Sequence, residues 1–278
     1  MERCIRFVMD EGTPREQAVA ICIRQWEQGK SGQYWIKFEK SRRTLESWTA
    51  RQFREALRKS AEPILEANTL SDMQSRELDP EPMKNAFVSV YQRVGKEFAN
   101  AIYKNLTKTK NEVLFTSWDQ HMANFALNRS LDRINNINLV SIQRIRKVIN
   151  QGIQEEQGTD EIARMIRSSY PMSMRRAQTI ARTEIVSASN EGAVLGAAST
   201  GLDYKKEWIA AIDNRTRSFD NGDMYDHIMM DGMTVEKNEP FMTPTTRGKE
   251  ALDYPGDPNG SPGNVINCRC TVAFIPYE

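Results

Sequence analysis

Two cysteines one residue apart, Cys268 and Cys270, sit near the end of the sequence, and one of its two histidines, His227, stands upstream of them. Thiolate sulfur and imidazole nitrogen are good zinc donors, but a tetrahedral site needs a fourth ligand. Asp213 or Asp231 would have to supply it, and the Cys-X-Cys gap is shorter than the usual two-residue spacing. The simpler reading is two buried structural thiols and a packed histidine, with no cofactor; zinc on His227, Cys268 and Cys270 is the alternative. A nucleophilic Cys/His pair would also need an orienting group and an oxyanion pocket, and neither is legible here. Arg182 and Glu184, two apart on a helix, point to different sides and do not pair with each other. Arg182 is expected to fork onto Asp213 or Asp231, with Glu184 reaching a separate partner, so that ion pairs lock helix to sheet. A transferase-like Arg/Glu set is the other option, but no nucleotide-binding pattern accompanies it. Asp231-Gly232 reads as a tight turn.

A second set of side chains is basic. Residues 1–150 hold 25 Lys or Arg against 18 Asp or Glu, whereas the remaining 128 hold 13 against 19, although the whole chain carries only +1. Lys104, Lys108, Lys110, Arg144, Arg146 and Lys147 are the candidate contacts to nucleic-acid phosphates. The same charges also suit plainly solvated helix faces.

The elements that must position these groups change character along the chain. Residues 1–30, with Cys4 and Cys22, read as a helical hairpin around Gly12 and the Thr13-Pro14 cap. Residues 31–82 form a helical and linker region: a flexible break at 28–32, a helix over 49–69 that Pro63 should bend or interrupt, and a linker at 78–82. Residues 83–174 read as a helical domain, with apolar stripes at helical period through Phe87, Tyr91 and Phe98, through Trp118 and Met122, and through Ile142, Ile145 and Ile149. An Ala- and Ser-rich helix over 175–200 leads into a final unit with strands near 205–211, 233–235 and 270–276. A Pro/Gly/Asp-rich stretch at 252–263 lies between the last two. The fold class is therefore α+β: a mainly helical first two-thirds, then a small α+β domain over 175–278 with long loops.

Composition excludes several classes. Hydrophobic residues make up 39% and charged residues 27% of 278, enough apolar material for one large or two small domains. No apolar run approaches the ~20 residues needed to span a bilayer. The first residues lack the pattern of a secretory signal, and sparse cysteines do not make a disulfide framework, so an intracellular chain is expected.

Five fragments fall in a fixed order: Ile180-Ala181-Arg182-Thr183-Glu184; Trp208 through Asp213, Arg215 and Arg217; His227 through Asp231-Gly232; Tyr254-Pro255-Gly256-Asp257-Pro258; and Asn267-Cys268-Arg269-Cys270. In this order and spacing the segment from about 150 to 278 resembles the phage Mu F-like minor head proteins, also called head-morphogenesis proteins. One departure is the interval from Arg217 to His227, lengthened by Asp220-Asn221-Gly222-Asp223. The resemblance implies a non-enzymatic minor structural protein of a tailed-phage or prophage head, found in the virion and, during assembly, in the host cytoplasm. It further implies head morphogenesis and DNA ejection as roles, with the portal protein, other head proteins and packaged DNA as partners and no small-molecule substrate. The alternative is a metal-dependent hydrolase or nuclease using His227, Cys268 and Cys270.

Overall fold

The computed structural model describes Met9 and residues 30–109, 114–129, 131–169, 172–213 and 215–277. The expected hairpin over 1–30, with Cys4 and Cys22, falls almost wholly outside these residues, as does Lys110. The described residues are α+β, with helices in the first two-thirds and small antiparallel sheets at the end.

The helices are α1 (Lys30–Ser60), α2 (Glu62–Leu65), α3 (Leu70–Ser75), α4 (Glu81–Thr107), α5 (Leu114–Arg129), α6 (Leu131–Gln154), α7 (Thr159–Ser168) and α8 (Met174–Ala198). Helix α1 corrects the sequence reading, because it begins at Lys30 and runs unbroken past residue 49. Its buried positions include Trp35, Phe38, Arg42, Leu45, Thr49, Phe53 and Ala56, at helical period. An arginine and a threonine occupy two of these slots, which hides the stripe from an apolar count. The expected interruption at Pro63 is present: α1 ends at Ser60, and Pro63 sits in the first turn of the separate α2, where a missing N–H costs nothing. Likewise Pro80 and Pro82 frame a helix start, since the Glu81 N–H donates to Asp79 Oδ1 at 2.9 Å as α4 begins.

The chain divides into two units, one built of helices and one built around the sheets. The helical unit comprises the described residues of 45–96 and 112–188. An aromatic ladder runs through it: Phe53 on Phe87 at 5.1 Å between ring centroids, Phe87 on Tyr91 at 6.0 Å and Tyr91 on Phe125 at 5.8 Å. Trp118 and Met122 are fully buried beside them, and Ile145, Ile149, Ile162 and Ile166 are buried on α6 and α7. Burial of a large apolar side chain contributes roughly 1.5–3 kcal/mol, so this core is a main source of the unit's cohesion.

The sheet unit comprises the described residues of 1–44, 97–111 and 189–278. Its strands are β1 (Tyr204–Ile209), β2 (Thr234–Glu236), β3 (Phe241–Thr245), β4 (Gly248–Leu252) and β5 (Thr271–Pro276), with a short helix α9 (Pro262–Val265). Strands β2, β1 and β5 make one antiparallel sheet, with Trp208 opposite Val272, and β3 and β4 make a hairpin. That hairpin has no counterpart in the sequence reading, because Met242, Pro244 and Lys249 break the expected alternation of types. In β1 the buried face holds Tyr204, Lys206 and Trp208. Lys206 is tolerated there because its Nζ donates to Asp253 O at 2.9 Å and lies over the Phe241 ring. Burial pulls its pKa down, opposed by Asp253 and Asp257. Within this unit α4 and α8 approach closely: a Cβ on Gly196 would lie 2.3 Å from the backbone oxygen of Ala99.

Candidate functional site

The turn that ends at Gly232 positions the first group. The Gly232 N–H donates to Trp208 O at 2.8 Å and the Trp208 N–H to Met233 O at 2.9 Å, so the turn is fastened to β1. Gly232 has φ +75°, a left-handed conformation that favours glycine. Upstream, the inserted loop closes around Asp226, whose carboxylate accepts from the N–H groups of Phe219 at 3.0 Å and Met229 at 2.8 Å. The His227 N–H then donates to Arg217 O at 2.9 Å. His227 is thereby held against the edge of Trp208, with ring centroids 5.3 Å apart.

The second pair of groups arrives through Asn267, which has φ +59°. Asparagine is among the few residues that adopt this left-handed region readily, and the turn swings Cys268 and Cys270 inward ahead of β5. His227 Nδ1 lies 3.7 Å from Cys268 Sγ and 3.6 Å from Cys270 Sγ, and all three residues are at most 2% exposed. The two thiols are coupled. A hydrogen bond from Cys270, and then contact with His227 and the charge of Arg217, hold the Cys268 thiol well below its ordinary range against the opposing effect of burial. Burial, followed by the adjacent Cys268, pushes Cys270 well above that range.

A chain of hydrogen bonds fixes the His227 ring. Glu250 Oε2 accepts from Asn264 Nδ2 at 2.6 Å and from Ser261 Oγ at 2.9 Å, and Oε1 accepts from the Ser261 N–H at 2.6 Å. With its amide nitrogen committed to the carboxylate, Asn264 presents Oδ1 to His227 Nε2 at 2.6 Å. That nitrogen must carry the proton, which leaves the Nδ1 lone pair of the neutral ring facing the two sulfurs. Neither Asn264 nor Glu250 was singled out by the sequence reading. Their only signal was a Pro-Gly-Asn turn and a lone acid in an unrecognised strand.

A buried polar hub underlies the cysteine segment. Arg42 donates from Nε to Ser189 Oγ at 2.7 Å, from Nη2 to Asn190 Oδ1 at 2.9 Å and from Nη1 to Cys270 O at 3.3 Å. Asn190 Nδ2 donates to Pro255 O at 2.6 Å and to Cys270 O at 3.2 Å, while Oδ1 also accepts from Thr271 Oγ1 at 3.0 Å. Trp35 Nε1 and Tyr34 OH donate to Arg269 O and Val272 O at 3.2 and 3.1 Å. Burial lowers the Arg42 pKa, with Glu39 opposing the shift, and raises that of Tyr34. Asp257 builds the Tyr254–Pro258 loop by accepting from the N–H groups of Asp253 and Asn259, each at 2.9 Å. Arg42 and Asn190 were also missed, and a run of Ser and Asn on a buried helix face was the available clue.

Several expected partnerships are corrected. Among the described residues the metal-capable group contains His227, Cys268 and Cys270 without Asp213 or Asp231. Asp213 instead caps its own turn, accepting from the Arg215 N–H at 3.0 Å and from Thr216 Oγ1 at 3.2 Å, and pairs with Arg269. Asp231 Oδ1 accepts from the Ala210 N–H at 2.9 Å. Arg217 donates to Ile266 O at 2.5 Å. Arg182, Thr183 and Glu184 belong to the helical unit. Arg182 pairs there with Glu46 at 2.6 Å, not with Asp213 or Asp231, and its side chain is half exposed. Thr183 bonds back to Thr179 O at 3.0 Å. Glu184 is buried, accepting from Tyr91 OH at 2.8 Å and from Arg133 at 3.0 Å. These pairs tie helix to helix rather than helix to sheet.

Of the basic candidates, Lys104 and Lys108 are exposed in the sheet unit, and Arg144, Arg146 and Lys147 are exposed in the helical unit. Arg146 pairs with Glu77, and Lys108 donates to Asn105 O at 2.5 Å. No described helix is long and apolar enough to cross a membrane.

Comparison with known proteins places this geometry in context. Residues 143–273 match the family model described as Phage Mu protein F like protein. The chain is 33% identical over 138 residues to an NAD(+)–arginine ADP-ribosyltransferase of Enterococcus faecalis, a match covering 48% of this chain and 26% of that protein. It is 25% identical over 142 residues to the minor head protein of Bacillus phage SPP1, covering 48% of this chain and 41% of the relative. An uncharacterized Bacillus subtilis protein, YqbB, is 24% identical over 131 residues, covering 47% and 41%. The chain thus spans less than half the length of each of these relatives. No solved structure matches.

Proposed function

Residues 143–273 belong to the Phage Mu protein F-like family, and from that premise we propose that the chain is a minor structural protein of a tailed-phage or prophage head. Its place is the virion, where it acts in head morphogenesis and joins the portal to the packaged DNA, with other head proteins as further partners. The observation that carries this reading is the match over 143–273 taken with the likeness to the SPP1 minor head protein. The site chemistry favours it over turnover. The cavity beside His227, Cys268 and Cys270 measures about 10 Å³, room for one water and not for an organic substrate. A transferase built on Arg182 and Glu184 is disfavoured, because each already serves a structural partner. Most of the ADP-ribosyltransferase also lies outside its match to this chain.

Deleting the gene from its phage or prophage and examining the particles tests the proposal. Loss of infectious heads, with the protein found by mass spectrometry in complemented particles and cross-linked through residues 200–278 to the portal, is the expected result. Normal particles without it, or its absence from finished heads, would overturn the proposal. For the DNA contact, replacing Lys104, Lys108 and Lys110 with Gln should weaken binding to all sequences alike and flatten its salt dependence.

A further inference from the structure

We propose that His227, Cys268 and Cys270 form a zinc site, with His227 Nδ1 and the two Sγ atoms as ligands and a water as the fourth. The inference does not depend on the proposed role in heads. It rests first on geometry. With Zn–S near ~2.3 Å and Zn–N near ~2.0–2.1 Å, the nitrogen-to-sulfur edge of a tetrahedron is about 3.5–3.6 Å. The two edges here measure 3.7 and 3.6 Å, and all three donor atoms lie within 4.8 Å of one another. The two nitrogen-to-sulfur edges therefore already match those of a tetrahedral site.

Second, the ring is set in the tautomer a metal requires. The Glu250–Asn264–His227 chain places the proton on Nε2 and leaves Nδ1 bare toward the sulfurs. A ligating histidine whose other nitrogen donates to an oxygen, itself oriented by a carboxylate, is the usual support of zinc sites. A histidine serving only to fill space would not need a carboxylate two residues removed to choose its tautomer.

Third, the three donors are buried together, each at most 2% exposed. Two thiolates buried beside a neutral imidazole would be costly alone, whereas a divalent cation cancels their charge. Each thiol releases its proton to solvent as the metal enters. Two sulfurs and one nitrogen select zinc over magnesium or calcium, which take oxygen.

The fourth position opens into the cavity of about 10 Å³ bordered by Thr216, Arg217 and Asn267. Three protein ligands and a water is the coordination of catalytic zinc, but here only water fits. The metal would therefore join the turn carrying His227 to the segment entering β5, a fastening role.

The test uses the full chain carrying Cys4→Ser and Cys22→Ser, so that Cys268 and Cys270 are its only thiols. The protein is stripped with a chelator and titrated with Zn²⁺ or Co²⁺ alone. The expected result is one zinc per chain by mass spectrometry of the metal, together with protection of both thiols from alkylation. Cobalt should give the visible bands and the thiolate charge-transfer absorption of a tetrahedral site. Asn264→Leu should weaken zinc binding about 10–100-fold by releasing the ring. Less than stoichiometric metal at saturation, no cobalt–thiolate absorption, or alkylation unchanged by zinc would overturn the assignment. The first three measurements need no variant of the site itself, so a misfolded mutant does not obscure the answer. A chain that binds no zinc but still assembles into heads would sink this inference and leave the proposed function intact.

Discussion

The two units of this chain solve the problem of cohesion in different ways. In the helical unit, rings and branched side chains are stacked against one another, and Phe53, Phe87, Trp118 and Met122 are wholly buried. In the sheet unit the buried places include Arg42, Asn190, Lys206, His227 and Asn264, each with named hydrogen-bond partners. Apolar packing is roughly additive and forgiving of shape-conserving change, whereas a polar network fails when one member is removed. The difference teaches that the smaller unit trades tolerance for definition: its loops, which lack regular structure, are placed by directional bonds.

Substitutions can break that comparison. The largest effect is expected for Asn190→Ala, which strips Arg42 of an acceptor and leaves the Cys270 carbonyl without one donor; a loss of about 3–5 kcal/mol in urea unfolding is expected. Asn190→Leu, of similar volume, should recover none of it. Phe87→Ala should cost about 3–5 kcal/mol as well, but Phe87→Leu should recover a good part, because only volume and area are at stake. Equal rescue by leucine at both positions would erase the distinction between the units.

A pH series sharpens it. Burial lowers the Lys206 pKa in the folded state, so the unfolded chain holds that proton more tightly. The penalty is fully present below the folded pKa and is relieved as pH climbs through it toward the ordinary lysine value. Stability of the wild type should rise over that window relative to Lys206→Met; a constant difference would show that Lys206 remains as easily protonated as in water. At Asn267, Ala should cost about 1–2 kcal/mol because of the left-handed backbone, and Gly much less. Smallest is Arg182→Ala, expected at about 0.2–1 kcal/mol, since that pair with Glu46 is half exposed.

How far the sequence foretold this follows the same division. Strands β1, β2 and β5 were legible from runs of β-branched and aromatic residues bounded by turn residues, and helix α7 from apolar residues at helical period. Helix α1 was truncated in the reading because Arg42 and Thr49 sit where apolar residues were expected. The β3–β4 hairpin was missed because its alternation is broken by Pro244 and its exposed apolar Met242. At the site, Cys268, Cys270 and His227 announced themselves by type. Glu250 and Asn264 did not, since nothing in one dimension marks a carboxylate that orients an amide that orients a ring. The expected Arg182–Asp213 link failed for a related reason: motif order along a chain does not specify which charges meet.

The Arg42 hub has a consequence for how the protein is made. Its guanidinium waits for the carbonyls of Arg269 and Cys270, which follow it by 227 and 228 residues. While the ribosome is still at work, that cation has a helix to sit on and no carbonyls to receive it. The helical unit can gather early around its rings, but the sheet unit closes only once β5 has been synthesised. Translation itself therefore sets the order, and α1, the first of the helices given above, is among the last to find its company.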